Sequence, residues 1–423
     1  MIRKVVFLMV VLLGEQPSLF SQPEDTITNK DVSRIIHFLA SDSLKGRGNG
    51  RPELLKAGLF IGDEFKKSNL LPLPGLPGYF IPFRPFGGSK QIVADYLLWN
   101  DKPVPSLQFV FVQHRAGNYS ERQLSDFKVI QLDTFFTQDV LKGFAGDSSP
   151  LLLWTNKMQP DGKEFFPDKF NTPFNGLQHD VLLVYAETPP VTIVLNGNPS
   201  WYSMLEYNIV GLLPGKSKPR EVILFSAHYD HEGVFGNRRD SILNGANDNA
   251  SGTTALLILA NYFSKRNDNA RTIMFCAFAG EELGLLGSYD FATQINPETI
   301  IAAINIEMIG FPGLGKDRVF ITGENFSDLP YILGNALRKN RIKVLADPDE
   351  SMELFKRSDN YPFVLKGIPA HTIMAGTDKD RCYHQPCDEV DRIDIANMTR
   401  IIKAIAGSVE NLVNGELTPT RIR

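Results

Sequence analysis

Cysteine is scarce in this sequence, with three residues in a chain of 423. So low a content excludes a small disulfide-stapled scaffold, because such folds need several bridges to replace a large core. Cys276 lies in an apolar run and is expected to be a buried apolar side chain. Cys382 and Cys387 bracket His384, and their spacing leaves open whether they form a disulfide, while it disfavours a Cys-x-x-Cys zinc site.

Excess positive charge is also missing, since the formal net charge is -4. Proteins that bind nucleic acid usually present a basic face, so we expect no nucleic-acid partner. The sequence contains neither the Gly-x-Ser-x-Gly elbow of serine hydrolases nor the His-Glu-x-x-His helix of one class of zinc peptidases. The glycine-rich run at 310–316 does not make a phosphate loop, because Asp317 stands where Ser or Thr is required.

The apolar stretch from Val5 to Leu13 is too short to span a bilayer. It follows Arg3 and Lys4 and precedes a plausible cleavage region that ends at Ser21, which is the pattern of a secretory signal peptide. We therefore expect residues 1–21 to be a signal peptide and the mature protein to be secreted or periplasmic, without a stable membrane span. A retained N-terminal anchor is the alternative.

The chain is long for one compact core, so one large domain with an insertion, or two domains, is expected. Helical apolar spacing occupies 31–40 and 52–67, which we assign to the N-terminal part of a main domain at 22–88. From 89 to 199 the pattern changes to short β-prone runs broken by turn residues, which predicts a smaller, mostly β insert. These runs lie at 129–132, 151–154, 181–185 and 191–195.

Strand and helix patterns alternate in the remainder of the main domain, 200–423. Apolar runs occur at 207–213, 222–227, 272–277, 300–306 and 370–374, and amphipathic segments occur near 253–264, 329–337 and 393–412. Such alternation predicts an α/β fold with a largely parallel, mixed sheet and helices on both faces.

Acidic and imidazole side chains recur where these strands are expected to end, next to glycine-rich breaks. Side chains at the carboxyl ends of parallel strands meet at one edge of a sheet. Nitrogen and carboxylate ligands suit zinc, and a pair of dications needs about three carboxylates and a hydroxide to approach neutrality. The predicted metal ligands are His228, Asp248, Glu282, Glu307 and His384.

Asp248 lies in a Gly- and Asn-rich turn before a helical pattern, which makes it the candidate carboxylate shared by two ions. The alternative is a helix cap. In the Glu281–Glu282 pair, Glu282 is the candidate ligand and Glu281 the candidate general base, because adjacent side chains point in different directions. We expect Asp230 to position the His228 imidazole, and Asp388 to do the same for His384.

Four motifs in combination resemble the co-catalytic di-zinc exopeptidases, which include bacterial leucyl-type aminopeptidases and glutamate carboxypeptidase, with glutaminyl cyclases on a similar fold. They are His-Tyr-Asp at 228–230, Asn-Asp-Asn-Ala-Ser-Gly at 247–252, Glu-Glu at 281–282 and Tyr-His at 383–384. The resemblance implies two zinc ions per chain, with Asp248 bridging them. It also implies that Tyr383 stabilises the oxyanion and that the insert is a protease-associated domain. Position 307 departs from the family, which mostly has Asp there, and this leaves occupancy by one or two ions open.

The resemblance implies a zinc aminopeptidase that removes N-terminal residues from peptides by metal-activated water, with Glu281 as the base. Three alternatives remain on this fold: a glutaminyl-peptide cyclase, a carboxypeptidase, and a binding protein without activity. The complete ligand set and the large insert favour a peptidase over a cyclase. An aminopeptidase is preferred to a carboxypeptidase on family frequency alone.

Overall fold

The computed structural model describes fourteen stretches of the chain, which together carry the predicted site. They are residues 26–83, 90–92, 96–104, 109–113, 122–134, 136, 140, 143–144, 147, 149–157, 179–196, 205–234, 241–348 and 353–422. The predicted signal peptide, 1–21, lies outside the described residues. None of the helices within these stretches has the length and apolar character needed to cross a lipid bilayer.

Strands and helices are numbered here in chain order. The strands are β1 (Phe80–Phe83), β2 (Lys90–Ile92), β3 (Tyr96–Trp99), β4 (Lys102–Pro103), β5 (Phe109–Gln113), β6 (Arg122–Gln123), β7 (Lys128–Gln131), β8 (Leu151–Thr155), β9 (Val181–Tyr185), β10 (Ile193–Asn196), β11 (Glu206–Leu213), β12 (Lys218–His228), β13 (Gly233–Val234), β14 (Ile242–Leu243), β15 (Arg271–Phe278), β16 (Ile300–Glu307), β17 (Arg318–Ile321), β18 (Lys343–Leu345) and β19 (Ala370–Met374). The α-helices are α1 (Asn29–Leu39), α2 (Pro52–Lys67), α3 (Gly252–Arg266), α4 (Leu286–Gln294), α5 (Leu329–Lys339), α6 (Tyr361–Val364), α7 (Ile395–Ser408) and α8 (Glu410–Val413).

An 8-stranded sheet with the order β1-β11-β15-β12-β16-β19-β17-β18 forms the centre of the molecule. The strands from β15 through β12 and β16 to β19 are parallel, as are β17 and β18. Strands β1, β11 and β15 pair antiparallel, and so do β17 and β19. The predicted fold class, a largely parallel, mixed sheet with helices, is confirmed.

Helices cover both faces of this sheet. Successive side chains of a strand point to opposite sides, so each central strand contributes to two cores. On β12, Ile223 and Phe225 pack in a core with apolar residues of α1, α2, α3, α5 and α7. Their neighbours Val222 and Leu224 pack on the other side with residues of α4 and α6. The central strands are buried on both faces, which is why they read as continuous apolar runs.

The described part of 89–199 forms two further sheets, one of 4 strands (β4-β3-β10-β6) and one of 5 strands (β2-β5-β9-β8-β7). Trp99 and Trp154 lie in an apolar core between strands of both sheets, with ring centroids 6.0 Å apart. The boundaries of a separate insert, and its assignment as a protease-associated domain, stay predictions.

Three strands of the central sheet end beside the candidate site. Strand β12 ends at His228 and β16 ends at Glu307, while β15 ends at Phe278, shortly before Glu281. Because these strands are parallel, their carboxyl ends lie at one edge of the sheet, where α/β proteins usually bind ligands.

Candidate metal centre

Asp248 lies between the two predicted histidine ligands. Its Oδ1 atom is 3.3 Å from Nε2 of His228, and its Oδ2 atom is 3.1 Å from Nε2 of His384. Nε2 of His384 is also 3.2 Å from Oε2 of Glu282. Each carboxylate oxygen of Asp248 therefore faces a different imidazole, which is the arrangement that a shared ligand requires.

Two groups of donor atoms meet at this carboxylate. One consists of His228, Asp248 and Glu307, and the other of His231, Asp248, Glu282 and His384. Within each group the donor atoms lie within 4.8 Å of one another. We name them the His228 pocket and the His384 pocket. All five predicted ligands fall in one or both, and His231 is an addition that the sequence analysis did not single out.

The turn that carries Asp248 is held from three sides. Asp388 accepts hydrogen bonds from the backbone N–H groups of Asn247, at 2.9 Å, and of Asp248, at 3.0 Å. Oδ1 of Asn249 accepts from the N–H groups of Gly252 and Met308, which ties the turn to helix α3 and to the end of β16. Helix α3 begins at Gly252, and its N-cap residue is Ser251, so Asp248 does not cap this helix.

The Glu281–Glu282 turn is fixed by Asp230. The Asp230 carboxylate accepts from the backbone N–H groups of Glu281, at 3.3 Å, and Glu282, at 3.2 Å, and from the side chain of Asn49 at 2.8 Å. Its Oδ1 atom lies 3.7 Å from Nδ1 of His228, whose nearer partner is the backbone carbonyl of Asp230 at 3.2 Å. Asp230 therefore links the segments carrying His228 and Glu282.

Two positions differ from what the sequence suggested. Asp388 was expected beside the His384 imidazole, but its carboxylate supports the Asp248 turn instead. Nδ1 of His384 lies 3.0 Å from Oε1 of Glu232. The only sequence signal for Glu232 was its place in the segment that contains His228, which was not enough to assign it a role.

The His384 turn is closed by a disulfide between Cys382 and Cys387, with the Cα atoms 5.2 Å apart. The Tyr383 ring stacks on the His384 imidazole, with 3.9 Å between the centroids. Burial raises the pKa of the Tyr383 phenol well above its ordinary value, and the nearby carboxylates add to this. The phenol is therefore protonated and able to donate a hydrogen bond. Cys276 is a buried free thiol, as expected.

The buried acids of the site differ in their affinity for protons. Burial raises the pKa of Glu281 well above its ordinary value, and the carboxylates of Glu307 and Glu282 raise it further. Burial raises the pKa of Glu307 to about 7. For Glu282 burial acts in the same direction, but the His384 charge and the His231 hydrogen bond prevail and lower its pKa to about 2. The contacts of Asp248 with His228 and His384 likewise outweigh burial and hold its pKa well below normal.

This donor set fits a pair of zinc ions. Imidazole nitrogen and carboxylate oxygen are common zinc ligands, and the Ser358 hydroxyl donates to Oε2 of Glu307, which orients that carboxylate. Within the described part of the chain, Nε2 of His228 is buried and makes no hydrogen bond. A buried nitrogen facing several carboxylates is the environment of a cation ligand, since an unpaired buried polar atom is otherwise costly.

Comparison with known proteins identifies the region that carries this site. Residues 208–409 match peptidase family M28. The chain is 29% identical over 238 residues to leupeptin-inactivating enzyme 1 of Streptomyces exfoliatus, which covers 50% of this chain and 50% of that protein. It is 22% identical over 289 residues to aminopeptidase YwaD of Bacillus subtilis, which covers 66% of this chain and 60% of that protein.

The fold resembles that of a solved zinc aminopeptidase of Bacillus subtilis, BSAP, with a TM-score of 0.61 and 17% sequence identity over 92% of this chain and 96% of that one. The chain thus spans about half to three fifths of the length of the two curated relatives, while it covers nearly all of the solved structure. Residues 208–409, which match peptidase family M28, contain all five predicted ligands.

Proposed function

We propose that this protein is a zinc-dependent aminopeptidase, which hydrolyses the N-terminal residue from peptides with Glu281 as the general base. The match of residues 208–409 to peptidase family M28 supports a peptidase. The names of two similar proteins, aminopeptidase YwaD and the zinc aminopeptidase BSAP, support the direction of cleavage and the metal. The observation that carries the proposal is the position of Asp248, with one carboxylate oxygen facing His228 and the other facing His384.

When bound, a pair of zinc ions would polarise a substrate carbonyl and lower the pKa of water toward neutrality. His228, Asp248 and Glu307 would hold one ion, and Asp248, Glu282 and His384 the other. Glu281 lies beside both pockets, with Oε2 4.0 Å from Nε2 of His228. It is therefore close enough to act on the reacting groups while Glu282 serves as the ligand.

Glu281 would take a proton from the attacking water and return it to the leaving amine. A group that takes up a proton and then returns it works best when its pKa lies near the working pH, and burial raises the pKa of Glu281 above its ordinary value. The Tyr383 hydroxyl is a protonated donor near the same carboxylates and would stabilise the negative charge that develops on the carbonyl oxygen. Stacking on His384 restricts the orientation of the Tyr383 ring.

Secretion or export to the periplasm is part of the proposal. The pattern of residues 1–21 supports it. The Cys382–Cys387 disulfide supports it independently, because disulfides persist in oxidising compartments and are rare in reducing ones.

Three peptides of otherwise identical sequence test the reaction: one with a free N-terminus, one N-acetylated, and one beginning with Gln. Each is incubated with the enzyme, with and without a zinc chelator, and the products are read by mass spectrometry. We expect loss of one N-terminal residue from the free peptide, no cleavage of the acetylated one, and no reaction with the chelator. Loss of only the C-terminal residue would identify a carboxypeptidase. Release of ammonia alone from the Gln peptide would identify a cyclase, and no change in any peptide would leave a binding protein.

A further inference from the structure

We infer that His231 and Glu232 form a positioning pair that holds Glu282 and His384 in the orientation in which both can bind the ion of the His384 pocket. The two residues are consecutive in sequence and contact different ligands of one pocket. This inference rests on the proposed metal-dependent function, and it assigns a role to residues that the sequence analysis had left without one.

His231 acts on Glu282. Nδ1 of His231 lies 2.7 Å from Oε1 of Glu282, whereas the other oxygen, Oε2, faces Nε2 of His384 at 3.2 Å. A hydrogen bond from Nδ1–H to Oε1 leaves Oε2 as the atom directed at the metal. It also prevents the carboxylate from rotating between the two alternatives. Partners of this kind around a metal site typically change affinity by about 10- to 100-fold when removed.

The His231 ring has little freedom to move. Its side chain is fully buried, and the ring lies directly against the backbone of Gly245. A Cβ atom at position 245 would be 2.5 Å from Cγ and Cδ2 of the ring, so only glycine allows this approach. The backbone N–H of His231 donates to the carbonyl of Arg47 at 3.2 Å. The donor to Glu282 is therefore held from both sides.

The distances favour a positioning role for His231 over direct ligation. Its Nδ1 atom lies 3.9 Å from Oδ2 of Asp248, whereas Nε2 of His384 lies 3.1 Å from the same oxygen. Nδ1 thus sits closer to Glu282 than to the shared carboxylate. The other nitrogen, Nε2, is buried without a hydrogen-bond partner among the described residues.

Glu232 acts on His384. Its Oε1 atom is 3.0 Å from Nδ1 of the imidazole, while Nε2 of the same ring faces Asp248 and Glu282. A carboxylate on the distal nitrogen fixes the tautomer in which Nε2 is free to bind metal and makes that nitrogen more basic. The His384 side chain is 29% exposed, compared with 7% for Glu282, so it has fewer packing contacts to hold its ring.

Two substitutions at position 231, to asparagine and to leucine, distinguish the hydrogen-bond donor of His231 from the volume of its side chain. The amide nitrogen of His231→Asn can donate from nearly the place of Nδ1, while His231→Leu keeps the size and removes the donor. At position 232, Glu232→Ala removes the carboxylate and Glu232→Asp keeps it. His37→Leu serves as the matched control, because His37 lies on the exposed part of α1 and bonds only within its own helix.

Each variant is purified with its zinc content measured by elemental analysis, and the two zinc affinities are obtained by competition with a chromophoric chelator. We expect His231→Leu and Glu232→Ala to weaken one of the two ions by about 10- to 100-fold and to leave the other within about threefold. His231→Asn and His37→Leu should keep both affinities. Thermal unfolding of the metal-free proteins shows whether each variant is folded.

Unchanged affinities in both His231→Leu and Glu232→Ala, with folded protein, would overturn the inference. A second pattern would also overturn it: His231→Asn binds zinc as weakly as His231→Leu, and its cobalt-substituted form has a visible absorption spectrum that differs from wild type. That pattern would make His231 a ligand. Wild-type protein that binds two zinc ions but cleaves no peptide would defeat the proposed function without touching the inference. Wild-type protein that binds no zinc would defeat both.

Discussion

The Asp388 carboxylate accepts a hydrogen bond of 3.0 Å from the backbone N–H of Asp248. The two residues are 140 positions apart in the sequence, and Asp388 also accepts from the N–H of Asn247. The turn that presents the Asp248 carboxylate is thus attached to the segment that follows His384. Movement of that segment would therefore displace Asp248, which belongs to both pockets.

Replacing Asp388 with Ala should weaken zinc binding to both pockets. The buried N–H groups of Asn247 and Asp248 would lose their acceptor, at a cost of about 2 kcal/mol in the free energy of unfolding, and Asp248 would be held less firmly. Asp388→Asn keeps one acceptor oxygen and should show a smaller loss. Urea unfolding and chelator competition measure the two effects. Zinc affinities equal to wild type in Asp388→Ala would contradict this account.

Replacing Glu281 with Gln should lower kcat by about 10²- to 10⁴-fold, because the amide cannot accept and return a proton. The zinc content and KM should stay close to wild type, since the proposed ligand at this turn is Glu282. Glu282→Gln is the paired variant and should lose zinc from the His384 pocket. Steady-state kinetics with elemental analysis distinguish the two. Retained turnover in Glu281→Gln would remove this residue from the mechanism.

Glu307→Asp should weaken the zinc ion of the His228 pocket by about tenfold. The shorter side chain cannot both accept the hydrogen bond from Ser358 and reach the position that Glu307 now occupies beside His228 and Asp248. Ser358→Ala should give a smaller loss, because the carboxylate stays in place but is less well oriented. Chelator competition resolves the two ions. Tighter binding in Glu307→Asp would show that the structure is not adapted to the longer side chain.

The buried Arg47 side chain connects several chain segments close to the site. The side chain is 1% exposed, and it donates to the backbone carbonyls of Leu39, Tyr229, Asn244 and Gly245. Arg47→Met should therefore lower the free energy of unfolding by about 3 kcal/mol or more, because these carbonyls lose a charged donor. Arg338→Met, on the exposed face of α5, should stay within about 0.5 kcal/mol of wild type. Urea denaturation compares them, and equal stabilities would refute the role given to Arg47.

Much of the central sheet could be predicted from apolar runs. The runs predicted at 222–227, 300–306 and 370–374 correspond to β12, β16 and β19, because strands buried on both faces are continuously apolar. The edge strands could not be found this way. Strands β17 and β18 have 4 and 3 residues, too few to establish a period. An apolar run also carries no direction, so the antiparallel pairing of β11 was not predictable.

The approach of His228 to Asp248 could be anticipated from the sequence. His228 follows a predicted strand and Asp248 lies in a turn before a predicted helix, and both positions were expected at the same edge of the sheet. The partner of His384 could not be anticipated. Proximity in sequence favoured Asp388. Side chains that are neighbours in a tight turn point in different directions, however, and the spacing in the sequence does not determine the direction of each one. Glu232 comes from another loop, and only the fold brings it to the imidazole. The roles of these residues as ligands and partners stay predictions that the variants above test.

His371 should make the stability of the fold depend on pH, independently of the metal centre. Burial lowers its pKa from 6.5 to about 4. Nδ1 lies 2.8 Å from the carbonyl of Thr322, to which it donates, and Nε2 accepts from the hydroxyl of Ser327 at 2.7 Å. A second proton would abolish that acceptor. The bond from Ser327 therefore requires the neutral ring, whereas the bond to Thr322 can form in either protonation state.

Between pH 6.5 and about 4 the unfolded chain binds a proton at this residue that the folded protein does not. The contribution of the neutral ring is therefore complete above pH 6.5 and is lost as the pH falls through this window, by roughly 3 kcal/mol in total. His371→Asn keeps a donor for Thr322 and does not titrate, so its free energy of unfolding should fall less steeply with acidification. Urea unfolding of both proteins at several pH values, in the presence of a chelator so that metal loss is constant, gives the two slopes. Parallel slopes would show that His371 does not titrate on unfolding in this range.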